Sequence, residues 1–112
     1  MTRHLPPDPE LKRLARKADY EVSALAALLG ISERTLERCF DDDLRVSPKA
    51  WLDELFILQE AVPLVVQGMK VEAIARKLGY ATVQGFSRAF HRVTGETPTA
   101  FYRKALRRKN VG

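Results

Sequence analysis

Residues 71–102 read VEAIARKLGYATVQGFSRAFHRVTGETPTAFY, and residues 22–51 read VSALAALLGISERTLERCFDDDLRVSPKAW. The two stretches are one pattern written twice. Leu25-Ala26 followed by Leu29-Gly30-Ile31 matches Ile74-Ala75 followed by Leu78-Gly79-Tyr80 at an offset of 49. Past the turn the offset becomes 50. Leu36, Arg38, Cys39 and Phe40 then match Phe86, Arg88, Ala89 and Phe90, and Ser47-Pro48, Ala50 and Trp51 match Thr97-Pro98, Ala100 and Phe101. The reading is an internal duplication with one extra residue in the second turn.

Each copy reads helix, glycine turn, helix. The first helix carries alanine at a tightly packed position, and the glycine permits a positive φ at the turn. The second helix keeps apolar residues at i, i+3 and i+4, Leu36, Cys39 and Phe40 in one copy and Phe86, Ala89 and Phe90 in the other. Its opposite face is polar. A short scaffold helix that braces a second helix with a free outer face is the physical content of a helix-turn-helix.

Outward from the copies, the spacing predicts further helices and no sheet, because β-branched and aromatic residues never alternate for long. Pro6, Pro7 and Pro9 mark residues 1–9 as an extended arm. A first helix over 10–18 follows, with Leu11, Leu14, Ala15 and Ala18 on one face. A helix over 23–29 stops at Gly30. Ser32 caps the next helix, which Asp41, Asp42 and Asp43 end. Ser47-Pro48 opens a long helix over 48–66, which Pro63 should kink or shorten. Helices over 71–78, from Thr82 to 93 or 94, and from Thr97-Pro98 into the basic tail complete an all-α chain of about seven helices. The organisation expected is an arm (1–9), a first lobe (10–47), a linking helix (48–66) and a second lobe with a basic tail (67–112).

The chain has 112 residues, 46% hydrophobic and 29% charged, a globular composition. No apolar run approaches the roughly 20 residues that span a bilayer, and no secretory signal opens the sequence. Cys39 is the one cysteine, which excludes an intramolecular disulfide and a multi-cysteine zinc site. A reducing, cytoplasmic compartment is the simplest fit. His4 and His91 are too isolated to build a metal site, so neither metal nor cofactor is expected. Residues 1–40 carry seven Lys/Arg against six Asp/Glu, residues 41–69 two against six, and residues 70–112 ten against two. The net +5 therefore resides in the C-terminal third. Such a stripe is the footprint of a polyanion binder, or a solvated basic helix.

With these motifs in place, the sequence resembles the DNA-binding region of AraC-type transcriptional regulators over roughly residues 11–105. The second half carries the signature: Ile74-Ala75 to Gly79-Tyr80, then Phe86-Ser87-Arg88-Ala89-Phe90, then Gly95-Glu96-Thr97-Pro98 with Phe101-Tyr102-Arg103. The first half matches through Gly30-Ile31-Ser32, Leu36-Glu37-Arg38, Phe40, Ser47-Pro48 and Trp51-Leu52. The resemblance implies two helix-turn-helix lobes joined by one long helix. It implies two recognition helices in successive major-groove segments of double-stranded DNA, and activation of transcription through contact with RNA polymerase. A monomer is expected, because one chain already holds two reading heads. No effector-binding domain is legible.

The resemblance assigns recognition helices to 32–40 and 82–93. In the first, Arg34, Thr35 and Arg38 are the candidates for base contact. Arg34 either grips guanine O6 and N7 bidentately or is a surface partner of Glu37. In the second, Thr82, Val83, Gln84 and Ser87 face the groove, with Gln84 suited to adenine and Val83 to a thymine methyl. Arg88, His91, Arg92 and Arg103 suit phosphates, which set register and affinity. Ser32, Ser47 and Thr97 are phosphate candidates at helix starts, and each is equally a simple N-cap. Gly85 is costly inside a helix, by up to about 1 kcal/mol. Cys39, Trp51 and Phe101 read as core.

Three features depart from the family pattern. Asp41-Asp42-Asp43 stands where basic residues are usual, opposing the helix dipole and repelling phosphate. Arg45 replaces the glycine kept at Gly95, so a different local loop is expected. Phe56 and Glu60 replace an arginine and an alanine in the linking helix, which also holds Pro63. The function expected is sequence-specific DNA binding and regulation. The alternative is a protein-binding helical module that has lost DNA contact. An enzyme is not expected, for the chain has no phosphate loop, nucleophile elbow or metalloprotease motif.

Overall fold

The computed structural model describes residues 5–111, with side chains described through Arg108; His4 and the start of the arm lie outside the described residues. Helix α1 spans Asp8–Lys17, α2 Val22–Leu29, α3 Glu33–Leu44 and α4 Pro48–Phe56. A π-helical turn, Ile57–Ala61, leads directly into α5, Val62–Val66. Then come α6 (Val71–Lys77), α7 (Val83–Thr94) and α8 (Pro98–Val111). With the uninterrupted run 48–66 taken as one, the described residues form seven helices and no strand.

Four expectations about local structure change. Helix α1 begins at Asp8, inside the stretch expected to be an extended arm. Prolines are tolerated in the first turn, where the missing N–H has no intrahelical acceptor, so Pro9 starts the helix rather than barring it. Helix α3 does not end at the aspartates but runs through them to Leu44. The turn that follows keeps the left-handed residue of its counterpart, Arg45 at φ 57° and Gly95 at φ 83°, but closes differently, the Arg45 amide donating five residues back to Phe40 and the Gly95 amide four back to His91. Pro63, expected to kink or shorten its helix, leaves the helical run continuous to Val66, with a π turn over Ile57–Ala61 just before it. The proline sits in the first turn of α5, and the wider π turn opens the spacing that its ring and missing N–H require.

Packing divides the chain between Phe56 and Ile57. In the first unit, Leu11, Ala15, Leu25, Ala26, Leu36, Phe40, Leu52 and Leu55 are buried together. The ring of Phe40 meets Trp51 edge-on at 5.4 Å. In the second, Ile57, Ala61, Val65, Ile74, Ala75, Phe86 and Phe90 form the core. There Phe90 meets Phe101 edge-on, also at 5.4 Å. Trp51 and Phe101 are half-buried walls of these cores. Truncating a buried phenylalanine costs about 3–5 kcal/mol, so Phe40 and Phe90 carry much of each lobe's stability.

The duplication reaches further than its side chains show. At the end of α1, the amides of Ala18, Asp19 and Tyr20 donate to the carbonyls of Leu14, Arg16 and Ala15. Forty-nine residues on, those of Gln67, Gly68 and Met69 donate to Pro63, Val65 and Leu64. The π turn with α5 is therefore the counterpart of α1, and each unit holds four successive helical segments.

Candidate nucleic-acid interface

The turn that leads into α3 and the turn that leads into α7 are the same. Gly30 (φ 71°) closes α2 with the Ile31 amide donating to the Ala26 carbonyl at 3.1 Å. Gly79 (φ 86°) closes α6 with the Tyr80 amide donating to Ala75 at 2.9 Å. These positive φ values are open to glycine at no steric cost. The next helix is then capped. Ser32 Oγ accepts from the Thr35 amide at 3.1 Å, and Thr82 Oγ1 accepts from the Gly85 amide at 2.9 Å. Burial of Leu36, Cys39 and Phe40 in α3, and of Phe86 and Phe90 in α7, fixes which face is left outside.

On α3 the outer face carries Glu33, Arg34, Glu37, Arg38, Asp41 and Asp42, all exposed, with Thr35 half-buried at its edge. On α7 it carries Gln84, Arg88, His91 and Arg92, exposed, with Ser87 half-buried. Val83, expected in the groove, is half-buried and packs against the second core. At an offset of 50, Gln84 stands for Arg34, Ser87 for Glu37, Arg88 for Arg38, His91 for Asp41 and Arg92 for Asp42. Sequence reasoning placed Ser87 among the candidate contacts and left its counterpart Glu37 as an outward residue without a role; the repeat offset pairs the two.

The candidate cations are unspent. Among the described residues, Arg34, Arg38, Arg88, His91, Arg92 and Arg103 make no ion pair or side-chain hydrogen bond. Arg34 is thus not held by Glu37. Lys104, by contrast, is paired with Glu96, and Lys49 lies 3.3 Å from Asp53. An exposed guanidinium with no internal partner can meet a phosphate or a base edge without breaking anything.

The hydroxyl candidates differ. Ser32 donates to Thr35 Oγ1 at 3.0 Å besides accepting from its amide, so its proton is already used. Ser47 and Thr97 accept from the amides of Ala50 and Ala100 at 3.1 and 3.2 Å, which leaves each hydroxyl proton able to donate outward. Ser47, however, opens onto a cleft of about 250 Å³ that two carboxylates, Glu37 and Asp41, and one ammonium, Lys49, also line. The residues at the corresponding places beside Thr97 are Ser87 and His91. The two helix starts share a geometry and differ in field. Thr94 knits the turn before Thr97, its one hydroxyl proton shared between the Phe90 and Glu96 carbonyls at 2.9 and 3.1 Å and its oxygen accepting from the Glu96 amide.

Among the described residues no group of three or more His, Cys, Asp or Glu side chains is placed to hold a metal ion. No described helix is long and apolar enough to cross a membrane.

The family model of a helix-turn-helix domain matches residues 25–104. The arabinose operon regulatory protein of Escherichia coli (strain K12) is 25% identical over 84 residues, 75% of this chain and 29% of that protein. The chain thus spans under a third of that relative's length. Among solved structures, a DNA-binding transcriptional dual regulator from Escherichia coli K-12 superposes with a TM-score of 0.72 at 22% identity, over 94% of this chain and 98% of that one. The C-terminal domain of AraT, a response regulator from Geobacillus stearothermophilus, gives 0.67 at 24% identity, over 91% and 88%. These two likenesses establish the fold.

Proposed function

The chain belongs to the AraC-type family of helix-turn-helix transcriptional regulators, and from that premise we propose that it binds double-stranded DNA sequence-specifically and regulates transcription. The observation that carries the reading is the pair α3 and α7. Each is capped, each is pinned by its apolar face, and each presents an outer face whose cations have no internal partner. A helix so held fits the major groove with its N-terminal residues at base edges.

In this proposal both helices read DNA, with Arg34, Thr35 and Arg38 at one element and Thr82, Val83, Gln84 and Ser87 at the other. Arg88, His91, Arg92, Arg103 and Thr97 hold phosphates. Ser32 and Ser47 serve chiefly as caps, because the first has used its proton and the second faces carboxylates. The exposed charge of the second lobe gives it the larger share of affinity. A monomer suffices, and the regulatory outcome proposed is activation through contact with RNA polymerase.

Selection of a random duplex library by the purified protein at near-physiological salt tests this. The expected motif has two elements about ten base pairs apart. A library that shows no enrichment contradicts the reading and favours a protein partner.

A further inference from the structure

The first two turns of the outer face of α3 carry two parallel columns of opposite charge. Glu33, Glu37 and Asp41 follow one another at i, i+4 and i+8, all exposed. Arg34 and Arg38 form the adjacent column, which Asp42 ends. Like charges four apart on a helix repel, yet among the described residues no cation pairs with any of the three acids. The matching columns of α7 are Val83, Ser87 and His91, and Gln84, Arg88 and Arg92, with no acid at all. The two reading faces therefore ask for different base edges.

We infer that the two lobes read elements of opposite composition, the first a G·C element selected by Glu37 together with Arg34 and Arg38, the second an A·T-containing element selected by Gln84. The inference rests on the DNA-binding reading and names the sequence class that it would recognise. An ionised carboxylate only accepts hydrogen bonds. Beside phosphates it is repelled unless a base donor meets it. The major groove offers two such donors, cytosine N4 and adenine N6, and carboxylates pair with cytosine N4. Guanine O6 and N7, the acceptors that arginine grips bidentately, lie on the other edge of the same pair. Side chains three apart on a helix are about 5–6 Å apart at Cβ, so Arg34 and Glu37 can address one G·C pair or two stacked neighbours. On α7, a neutral amide at the place of Arg34 and a hydroxyl at the place of Glu37 remove both halves of that demand. Gln84 pairs bidentately with adenine.

The test is random-duplex selection at near-physiological salt with three proteins: the natural chain, Glu37→Gln and Gln84→Ala. The natural chain should enrich a two-element motif, one element carrying G·C and the other A·T. Glu37→Gln should lose cytosine at one position of the G·C element, accept adenine there, and leave the A·T element unchanged. Gln84→Ala should relax the A·T element alone. In direct titration, replacing that cytosine should weaken the natural chain about tenfold and leave Glu37→Gln nearly indifferent. A two-element motif that Glu37→Gln leaves intact overturns the inference while the DNA reading stands. A lack of any enrichment by the natural chain overturns both.

Discussion

Arg45 holds at φ 57° the left-handed turn that Gly95 holds at φ 83° at the same place in the second lobe. In both, the turn amide donates back into the preceding helix, to the Phe40 carbonyl of α3 at 2.9 Å and to the His91 carbonyl of α7 at 2.7 Å. The two lobes thus place a left-handed residue at the same point while closing the turn on different carbonyls, five residues back in one and four in the other, and only one of the two residues suits that backbone.

Arg45→Gly should therefore stabilise the protein. Left-handed backbone costs an ordinary residue about 1–2 kcal/mol, and the greater unfolded-state freedom of glycine offsets part of the relief. A net gain of about 1 kcal/mol is expected as a higher midpoint in thermal or urea denaturation. Gly95→Ala should move the midpoint the other way. A lower midpoint for Arg45→Gly would mean that the side chain contributes contacts outweighing the backbone strain.

Gly85 gives a sharper test of the cap. An alanine there should gain up to about 1 kcal/mol in helix propensity. Its Cβ would lie 3.1 Å from Thr82 Oγ1, the hydroxyl that caps the helix. Gly85→Ala alone should thus gain under about 0.5 kcal/mol, while in a Thr82→Ala background, itself about 1 kcal/mol less stable, the full gain should appear. Additive effects in the double-mutant cycle would contradict this coupling.

How far the sequence foretold the structure follows from which signals are local. The caps at Ser32, Thr82, Ser47 and Thr97, and the turns at Gly30 and Gly79, depend on residues within a few positions and were legible. The run of Asp41 to Asp43 misled, because the buried Leu36 and Phe40 hold α3 together past an unfavourable last turn. The π turn had no signal beyond Pro63. The kinship of α1 with α5 was hidden since Asp19 and Gly68 share a backbone conformation but no chemistry. On the reading faces, exposure could be inferred from the apolar positions, whereas the absence of ion pairs at Arg34 and Arg38 needed coordinates.

Neutralising cations should separate the lobes. Arg88→Ala with Arg92→Ala should weaken duplex binding more than Arg34→Ala with Arg38→Ala, because the outer face of α7 carries no acid whereas the second pair shares its face with Glu37, Asp41 and Asp42. Each lost phosphate contact should also lower the salt slope by about 1. Equal losses measured by fluorescence anisotropy would contradict an unequal division of affinity.

The aspartates should act in the opposite sense. Asp41→Asn with Asp42→Asn should raise affinity for duplex DNA of any sequence. The gain should be largest at low salt and shrink as the Debye length falls toward about 8 Å at physiological ionic strength. Unchanged or weaker binding would show that these carboxylates stand clear of the DNA.

The central claim is that this is a DNA-binding surface, and the most direct measurement is the affinity for random-sequence duplex DNA across a series of salt concentrations. The account predicts that log K falls linearly with log salt, by about 0.9 for each phosphate neutralised, and that the slope becomes shallower in the Arg88→Ala, Arg92→Ala variant. No binding at low salt, or an affinity indifferent to salt, would contradict it.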